Sequence, residues 1–182
     1  LSAAAMLAAN TGDSRIKEKS TAIVRALGDC QSAWAQRYPS DCSVEGLDGD
    51  GYLFPYDPIV FRQLEDLTLH ALGQPRMYSV PFYTLHKLMA GLLDQYQLVG
   101  NTMAFAMVRR MADWVVRNVA KASTAKDAAG NLIWQEVLNT EWGGMNEIMF
   151  NLYGVTKNES YLHAGRLFNH FSWSAPLAVG VD

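Results

Sequence analysis

The sequence is poor in the features that would place it in several broad classes of protein. Only 2 of its 182 residues are cysteine, too few for a disulfide framework, and their spacing does not resemble a zinc site. No apolar run approaches the roughly eighteen residues of a membrane-spanning helix, so no membrane span is expected. The net charge is -3 and basic residues are scattered, which gives no indication of nucleic-acid binding.

The two cysteines leave their redox state open. Cys30 lies on a predicted helix and Cys42 in the loop that follows it. A disulfide, worth about 3 kcal/mol for a short loop, and two free thiols both fit this spacing. The segment Asn158-Glu159-Ser160 matches the acceptor pattern for N-glycosylation, but a single match is weak evidence of secretion. We therefore leave the localisation unassigned.

Hydrophobic residues make up 49% of the chain, which is enough for one domain with a substantial core. Their spacing predicts helices over 1–10, 15–36, 57–69, 81–98, 102–119, 145–155 and 160–171. Gly12 is expected to end the first helix, and Asp13 or Ser14 to cap the second. We expect an extended segment over 132–137 and an irregular tail over 172–182.

The predicted helices repeat in pairs, each pair joined by a tight turn at 11–13, 99–101 or 155–158. Helical hairpins in series form either a solenoid or an α/α toroid. The hairpins are unequally spaced, whereas solenoid repeats keep a fixed period, so we favour an all-α fold in which they form part of an (α/α)6 toroid. Both ends of the chain look cut, so residues 1–182 are expected to be a fragment of that barrel.

The most unusual stretch is LNTEWGGMNEIMFNLY, residues 138–153, which is predicted to be a loop that turns into a helix. Its polar residues Glu141, Asn146 and Glu147 gather beside Trp142 at the start of that helix. One interpretation is helix capping together with favourable placement of acids against the helix dipole. The other is a functional site.

A second candidate lies at the start of the helix predicted over 81–98, where Tyr83 and His86 are within about one turn of each other. In a series of hairpins the first helices run roughly parallel, so this start and the start near Glu141 would share one rim. His86 is either a buried histidine satisfied by a backbone group or a hydrogen-bonding residue that faces a pocket at the rim. His70, His163 and His170 are expected to be structural or solvated.

A rim that carries carboxylates, a histidine and aromatic rings would suit a sugar. Carboxylates bind hydroxyl groups, and aromatic faces stack on sugar rings. A pair of carboxylates is also the usual acid–base solution in glycosidases. Nothing in the sequence shows that Glu141 and Glu147 form such a pair.

Four segments resemble the β-L-arabinofuranosidase-type glycoside hydrolases, a family formerly known as a domain of unknown function. Residues 80–94, VPFYTLHKLMAGLLD, resemble one family signature, and residues 138–147, LNTEWGGMNE, resemble the second. Residues 1–3 resemble the segment that follows a Gly-His-Tyr motif, and 51–53 resemble the Gly-Tyr-Leu element. The resemblance covers nearly the whole chain. Trp142 stands where the motif varies, and the insert over 40–50 looks long.

This resemblance implies an (α/α)6 barrel, usually followed by β-sandwich domains, and retaining hydrolysis of β-L-arabinofuranosides. The family nucleophile is a cysteine bound to zinc with other cysteines and a glutamate, and another glutamate is the acid/base. Those motifs lie downstream of this region, and Cys30 and Cys42 do not match them. The resemblance therefore implies zinc in the full-length protein but no catalytic residue and no metal ligand within 1–182.

The residues that the resemblance assigns to substrate binding are those already singled out at the two helix starts. His86 matches a family position expected to touch substrate, and Glu141, Asn146 and Glu147 match the second signature. With Tyr83, they form the predicted substrate-binding set.

The leading hypothesis is a glycoside hydrolase that removes terminal β-L-arabinofuranosyl groups from arabinose-containing glycans. Its partner would be a carbohydrate, and secretion would suit such a substrate. The alternative is a non-catalytic or degenerate carbohydrate-binding or scaffold relative on the same helices. A third hypothesis is an unrelated α/α toroid enzyme, such as a sugar epimerase or lyase, in which histidines transfer protons.

Overall fold

The computed structural model describes residues 1–39, 47–61, 80–126, 129–130, 132–141 and 143–180. The described chain is 75% helical without strands, which confirms the predicted all-α class. An isolated antiparallel β-bridge joins Lys126 and Leu132. The helices are α1 (Ser2–Thr11), α2 (Ser14–Arg37), α3 (Pro81–Val99), α4 (Thr102–Ala122), α5 (Trp134–Glu141), α6 (Met145–Thr156), α7 (Glu159–Leu167) and α8 (Phe171–Ala178).

The turn between α1 and α2 forms as its residues predict. Gly12 adopts a left-handed conformation with φ 69°, and its N–H donates to Ala8 O, which ends α1. Asp13 then caps α2, because its Oδ1 accepts the N–H of Arg15 at 2.9 Å. The predicted hairpin at 11–13 is confirmed by the packing of α1 on α2, and the one at 155–158 by the packing of α6 on α7.

Two of the predicted segments were wrong. The segment 132–137 is extended only at Leu132, which bridges to Lys126, because α5 begins at Trp134 and the N–H of Val137 donates to Ile133 O. Trp134, Val137 and Leu138 are all buried, so helical spacing puts one apolar stripe into the core. The tail is not irregular either: α8 forms there with Pro176 inside it, and its first turn is closed by Ser174 N–H donating to His170 O. The helix expected to reach 171 accordingly ends at Leu167.

Further predictions fall wholly or partly on undescribed parts of the chain. Residues 59–61 are helical, but the rest of the helix predicted over 57–69 lies outside the described residues. So do His70, Trp142 and Cys42, and with Cys42 the question of a disulfide. Among the described residues no helix combines the length and apolar character needed to cross a membrane.

The chain divides into two compact units, and helices α3 and α4 each contribute to both. The first unit comprises 1–58 and 85–114, and the second comprises 59–84 and 115–182. Each is described by itself below. The arrangement of the hairpins as part of an (α/α)6 toroid stays a prediction.

The first unit is held together by buried polar and aromatic groups. Gln31 is 1% exposed, and its Nε2 donates to Gly51 O at 3.0 Å and to Met107 O at 3.2 Å, which ties α2 to the 47–58 segment and to α4. The Tyr52 ring packs against Trp34 and Trp114 at centroid distances of 5.3 and 5.2 Å. Gly51 has φ 82° and sits against Arg110 O, where a side chain would collide. The Gly-Tyr-Leu element is therefore part of the core.

The second unit is built on an aromatic cluster. Phe82, in the first turn of α3, contacts Phe61, Phe168 and Trp134 at centroid distances of 4.8, 5.3 and 5.7 Å. The indole Nε1 of Trp134 also donates to Leu167 O at 2.6 Å, which joins α5 to the end of α7. This cluster fixes the start of α3 within the unit.

Candidate functional site

Tyr83 is exposed because Phe82, the residue before it, is buried. Phe82 is fully buried in the aromatic cluster of the second unit. Because consecutive helical residues point about 100° apart, burying Phe82 turns Tyr83 away from the core. The Tyr83 side chain is 44% exposed at the start of α3. Solvent therefore reaches part of the Tyr83 side chain, and its assignment to substrate binding stays a prediction.

Asn146 and Glu147 lie in the first turn of α6. Buried Met145, Ile148 and Met149 hold this turn on the second unit, while Asn146 is half-buried and Glu147 is exposed. The N–H of Glu147 donates to Asn146 Oδ1 at 2.8 Å. Gly144 precedes the helix without a side-chain cap, so Asn146 supplies the acceptor that a capping residue would normally provide.

The two polar residues of this turn therefore differ in role. The capping interpretation holds for Asn146 Oδ1. The carboxylate of Glu147 accepts no hydrogen bond from the part of the chain that the structure describes, although its place in the first turn favours its negative charge. A carboxylate held at a helix start and open to solvent can accept hydrogen bonds from the hydroxyl groups of a sugar.

Glu141 is the last residue of α5, two residues before the bend at Gly143 and Gly144. Its backbone is helical, so the segment 138–141 is the end of a helix rather than the predicted loop. The Glu141 side chain lies outside the described parts of the molecule. Its assignment to substrate binding stays a prediction.

His86 is on the buried side of α3, in the first unit. Its side chain is 6% exposed, between Leu85 at 1% and Met89 at 0%. The sequence left open whether this histidine is buried or faces a pocket, and the structure shows that it is buried. Tyr83, Asn146 and Glu147 belong to the second unit, so the proximity of His86 to them stays a prediction.

The other described histidines differ from His86. His163 is exposed on α7, beside a cavity of about 260 Å³ that is also lined by Ser160 and Val116. The Nε2 of His170 lies 2.9 Å from Asn139 Oδ1, and Asn139 Nδ2 donates to Glu136 Oε2 at 3.0 Å. These contacts anchor the last turn of α5, which carries Glu141. Sequence reasoning missed this anchor, because 31 residues separate His170 from Asn139.

The resemblance places the zinc ligands outside residues 1–182, and the described residues offer no alternative site for the metal. Within the described ranges, no group of three or more His, Cys, Asp or Glu side chains could hold a metal ion. Cys30 is a free, exposed cysteine on α2. We therefore derive no chemical step through zinc.

Comparison with known families decides the identity of the chain. A family model described as beta-L-arabinofuranosidase, GH127 catalytic domain, matches residues 1–182. The chain belongs to this family. No curated protein matches it. The family match confirms the resemblance to this family, and it supports a glycoside hydrolase at the level of the family.

Proposed function

We propose that this chain contributes part of the sugar pocket of a hydrolase that removes terminal β-L-arabinofuranosyl groups from arabinose-containing glycans. The observation that carries the proposal is the match of the GH127 catalytic-domain family to all of residues 1–182. The exposed Tyr83 and Glu147, at the starts of α3 and α6, add side chains suited to binding a sugar.

Each proposed binding residue has a distinct chemical role. The Tyr83 ring offers a face for a sugar ring, and its hydroxyl can donate or accept a hydrogen bond. The Glu147 carboxylate accepts hydrogen bonds from sugar hydroxyls, and such charge-assisted bonds are stronger than neutral ones. The half-buried Asn146 keeps its Nδ2 as a donor, because its Oδ1 is engaged by Glu147 N–H. Glu141 completes the set, and its carboxylate would act in the same way as that of Glu147.

His86 has a different role in this proposal. A side chain that is 6% exposed can offer a sugar only one edge of its ring. One ring nitrogen would hydrogen-bond a substrate hydroxyl while the core holds the ring in a fixed orientation. The nucleophile, the acid/base and the zinc ligands are proposed to lie outside residues 1–182, as the family resemblance implies.

The proposal is tested by assaying the product of the complete open reading frame on an aryl β-L-arabinofuranoside, with the α anomer as the control. We expect release of the aryl group from the β anomer alone. Incubation with a metal chelator should abolish turnover, and added zinc should restore it, because the family nucleophile is a zinc-bound cysteine.

Two outcomes would redirect the proposal. Stabilisation of the protein by L-arabinose without turnover of either anomer would indicate the non-catalytic carbohydrate-binding relative. Sugar turnover that is insensitive to chelation would instead indicate epimerase- or lyase-type chemistry carried out by histidines.

A further inference from the structure

A cavity of about 360 Å³, open to solvent and lined by both polar and apolar groups, lies in the first unit, between α2 and the turn that joins α3 to α4. Lys17, Thr21 and Arg25 line it from α2. Gly100, Asn101, Thr102 and Met103 line it from the turn and the first residues of α4, together with Val99 at the end of α3. None of these residues is among those assigned to the sugar pocket.

The local sequence explains why the three α2 residues share this cavity. Lys17, Thr21 and Arg25 are spaced four apart, so they follow one face of the helix. One turn further along α2, Gly28 leaves room for the end of Met103, which any side chain at position 28 would meet. The start of α4 therefore lies directly beside this face of α2.

The charge around the cavity is of one sign. Lys17 and Arg25 both line it, and no acidic residue does. The ion pairs found among the described residues are Arg15 with Asp13 and Arg110 with Asp50, so neither Lys17 nor Arg25 has a carboxylate partner there. An anion placed at this cavity would meet positive charge from both residues and no negative charge from the lining.

The start of α4 adds hydrogen-bond donors. The Oδ1 of Asn101 accepts the N–H of Ala104 at 3.1 Å, and the N–H of Asn101 itself donates to Gln95 O. The N–H groups of Thr102 and Met103 belong to the first turn and have no acceptor within the helix. They stand at the positive end of a helix of 21 residues. Thr21 and Thr102, whose hydroxyls can donate hydrogen bonds, also line the cavity.

We propose that this cavity binds a phosphate or sulfate group. Two cations, hydroxyl donors and helix-start amides match the charge and the oxygen acceptors of such a group. The cavity falls at the lower end of the size range of small-molecule sites, so the group can be a free ion or part of a small molecule such as a sugar phosphate. Gly100 follows His86 by 14 residues along α3, or about 21 Å of helix, so this site is separate from His86.

The test is calorimetric titration of the full chain with inorganic phosphate, inorganic sulfate and glucose 6-phosphate. Sodium chloride at matched ionic strength and unphosphorylated glucose are the ligand controls. We expect Lys17→Ala and Arg25→Ala each to weaken binding of the oxyanions at least tenfold. Lys19→Ala is the matched control, because Lys19 is exposed on the same helix but does not line the cavity.

Each outcome has a defined meaning. Equal affinity for inorganic phosphate and glucose 6-phosphate supports a site that recognises the oxyanion alone, whereas tighter binding of glucose 6-phosphate supports a site for a phosphorylated small molecule. The proposal is overturned if chloride gives the same heats, or if Lys19→Ala weakens binding as much as Lys17→Ala. Because all three lysine and arginine positions are exposed, circular dichroism should show each variant folded as the wild type.

Discussion

At the scale of single residues, the structure separates two side chains that the sequence placed together. Tyr83 and His86 are three residues apart on α3, yet Tyr83 is 44% exposed and His86 is 6% exposed. Much more of Tyr83 than of His86 is therefore in contact with solvent. Substitutions at these positions should therefore act on binding and stability in different proportions.

For His86 we predict a large loss of activity in the product of the complete reading frame. We expect His86→Ala to lower kcat/KM by roughly 10- to 100-fold. The variant loses the hydrogen bond from the imidazole to a substrate hydroxyl. The measurement is the initial rate on an aryl β-L-arabinofuranoside. The matched control is His163→Ala, because His163 is exposed on α7 and should leave the rate unchanged.

Burial of His86 means that His86→Ala also leaves a small cavity, so the thermal midpoint must be measured alongside the rate. His86→Gln keeps a hydrogen-bonding group and should recover part of the lost activity. A wild-type rate in a folded His86→Ala variant would remove His86 from the substrate-binding set.

Tyr52 gives a prediction for alkaline pH. Burial, with a smaller effect from the charge of Asp57, raises the pKa of this phenol well above its usual value, and its O–H donates to Tyr56 O at 2.6 Å. The native state therefore holds this proton more tightly than the unfolded chain does. Its contribution to stability is complete below about pH 10 and is lost as the pH rises above that value, by at most about 1.4 kcal/mol per pH unit.

The prediction for Tyr52 is checked by urea unfolding of the wild type and Tyr52→Phe at about pH 8 and about pH 11. Tyr52→Phe should be the less stable protein at the lower pH, because it removes the part-buried hydrogen bond from the Tyr52 hydroxyl to Tyr56 O. The gap in unfolding free energy should narrow at the higher pH. A constant gap would show that Tyr52 does not resist ionisation.

At the scale of elements, the α6–α7 hairpin depends on close approach at Gly165. A Cβ added there would lie 2.6 Å from Phe150 Cε1 and 3.2 Å from Met149 Cβ. Gly154 in α6 has nothing within 4 Å of the same hypothetical atom. The two glycines thus form a matched pair in one hairpin, with opposite expected responses to alanine.

Gly165→Ala should destabilise the protein by roughly 1–3 kcal/mol, because Phe150 and the α6 backbone must shift to admit the methyl group. Gly154→Ala should stabilise it by about 0.5–1 kcal/mol, because alanine restricts the unfolded chain and fits a helix. Chemical denaturation measures both values. Equal effects of the two substitutions would contradict the packing described for this hairpin.

The elements also show which features the sequence could predict. The cap at Asp13 and the helix end at Gly12 were predicted because each depends on residues close by in the chain. The α5 helix was missed because the segment from Leu132 to Val137 is too short for the spacing of its apolar residues to distinguish a strand from a helix. Burial of Trp134 and Val137 on one face favours the helix over the strand. That burial depends on residues distant in sequence, such as Phe82 and Phe168.

At the scale of the whole molecule, the family was predictable because its two signatures, 80–94 and 138–147, are long and continuous. The site was less predictable. Exposure of Tyr83 depends on what buries Phe82, and the anchoring of α5 depends on a contact between Asn139 and His170. Neither leaves a local pattern in the sequence. The oxyanion site likewise depends on α2 meeting the α3–α4 turn, which only the folded first unit reveals.

The central claim is that this chain supplies sugar-binding residues to a β-L-arabinofuranosidase. The most direct test is kcat/KM on an aryl β-L-arabinofuranoside for the product of the complete reading frame, compared with its Glu147→Ala variant. Glu159→Gln is the control, because Glu159 is also an exposed glutamate in the first turn of a helix.

The account predicts turnover of the β anomer by the wild type and by Glu159→Gln, and a roughly 10- to 100-fold lower kcat/KM for Glu147→Ala, because a charge-assisted hydrogen bond to the sugar is lost. Equal values for the wild type and a folded Glu147→Ala variant would contradict the site. Absence of turnover by the wild type would contradict the activity itself.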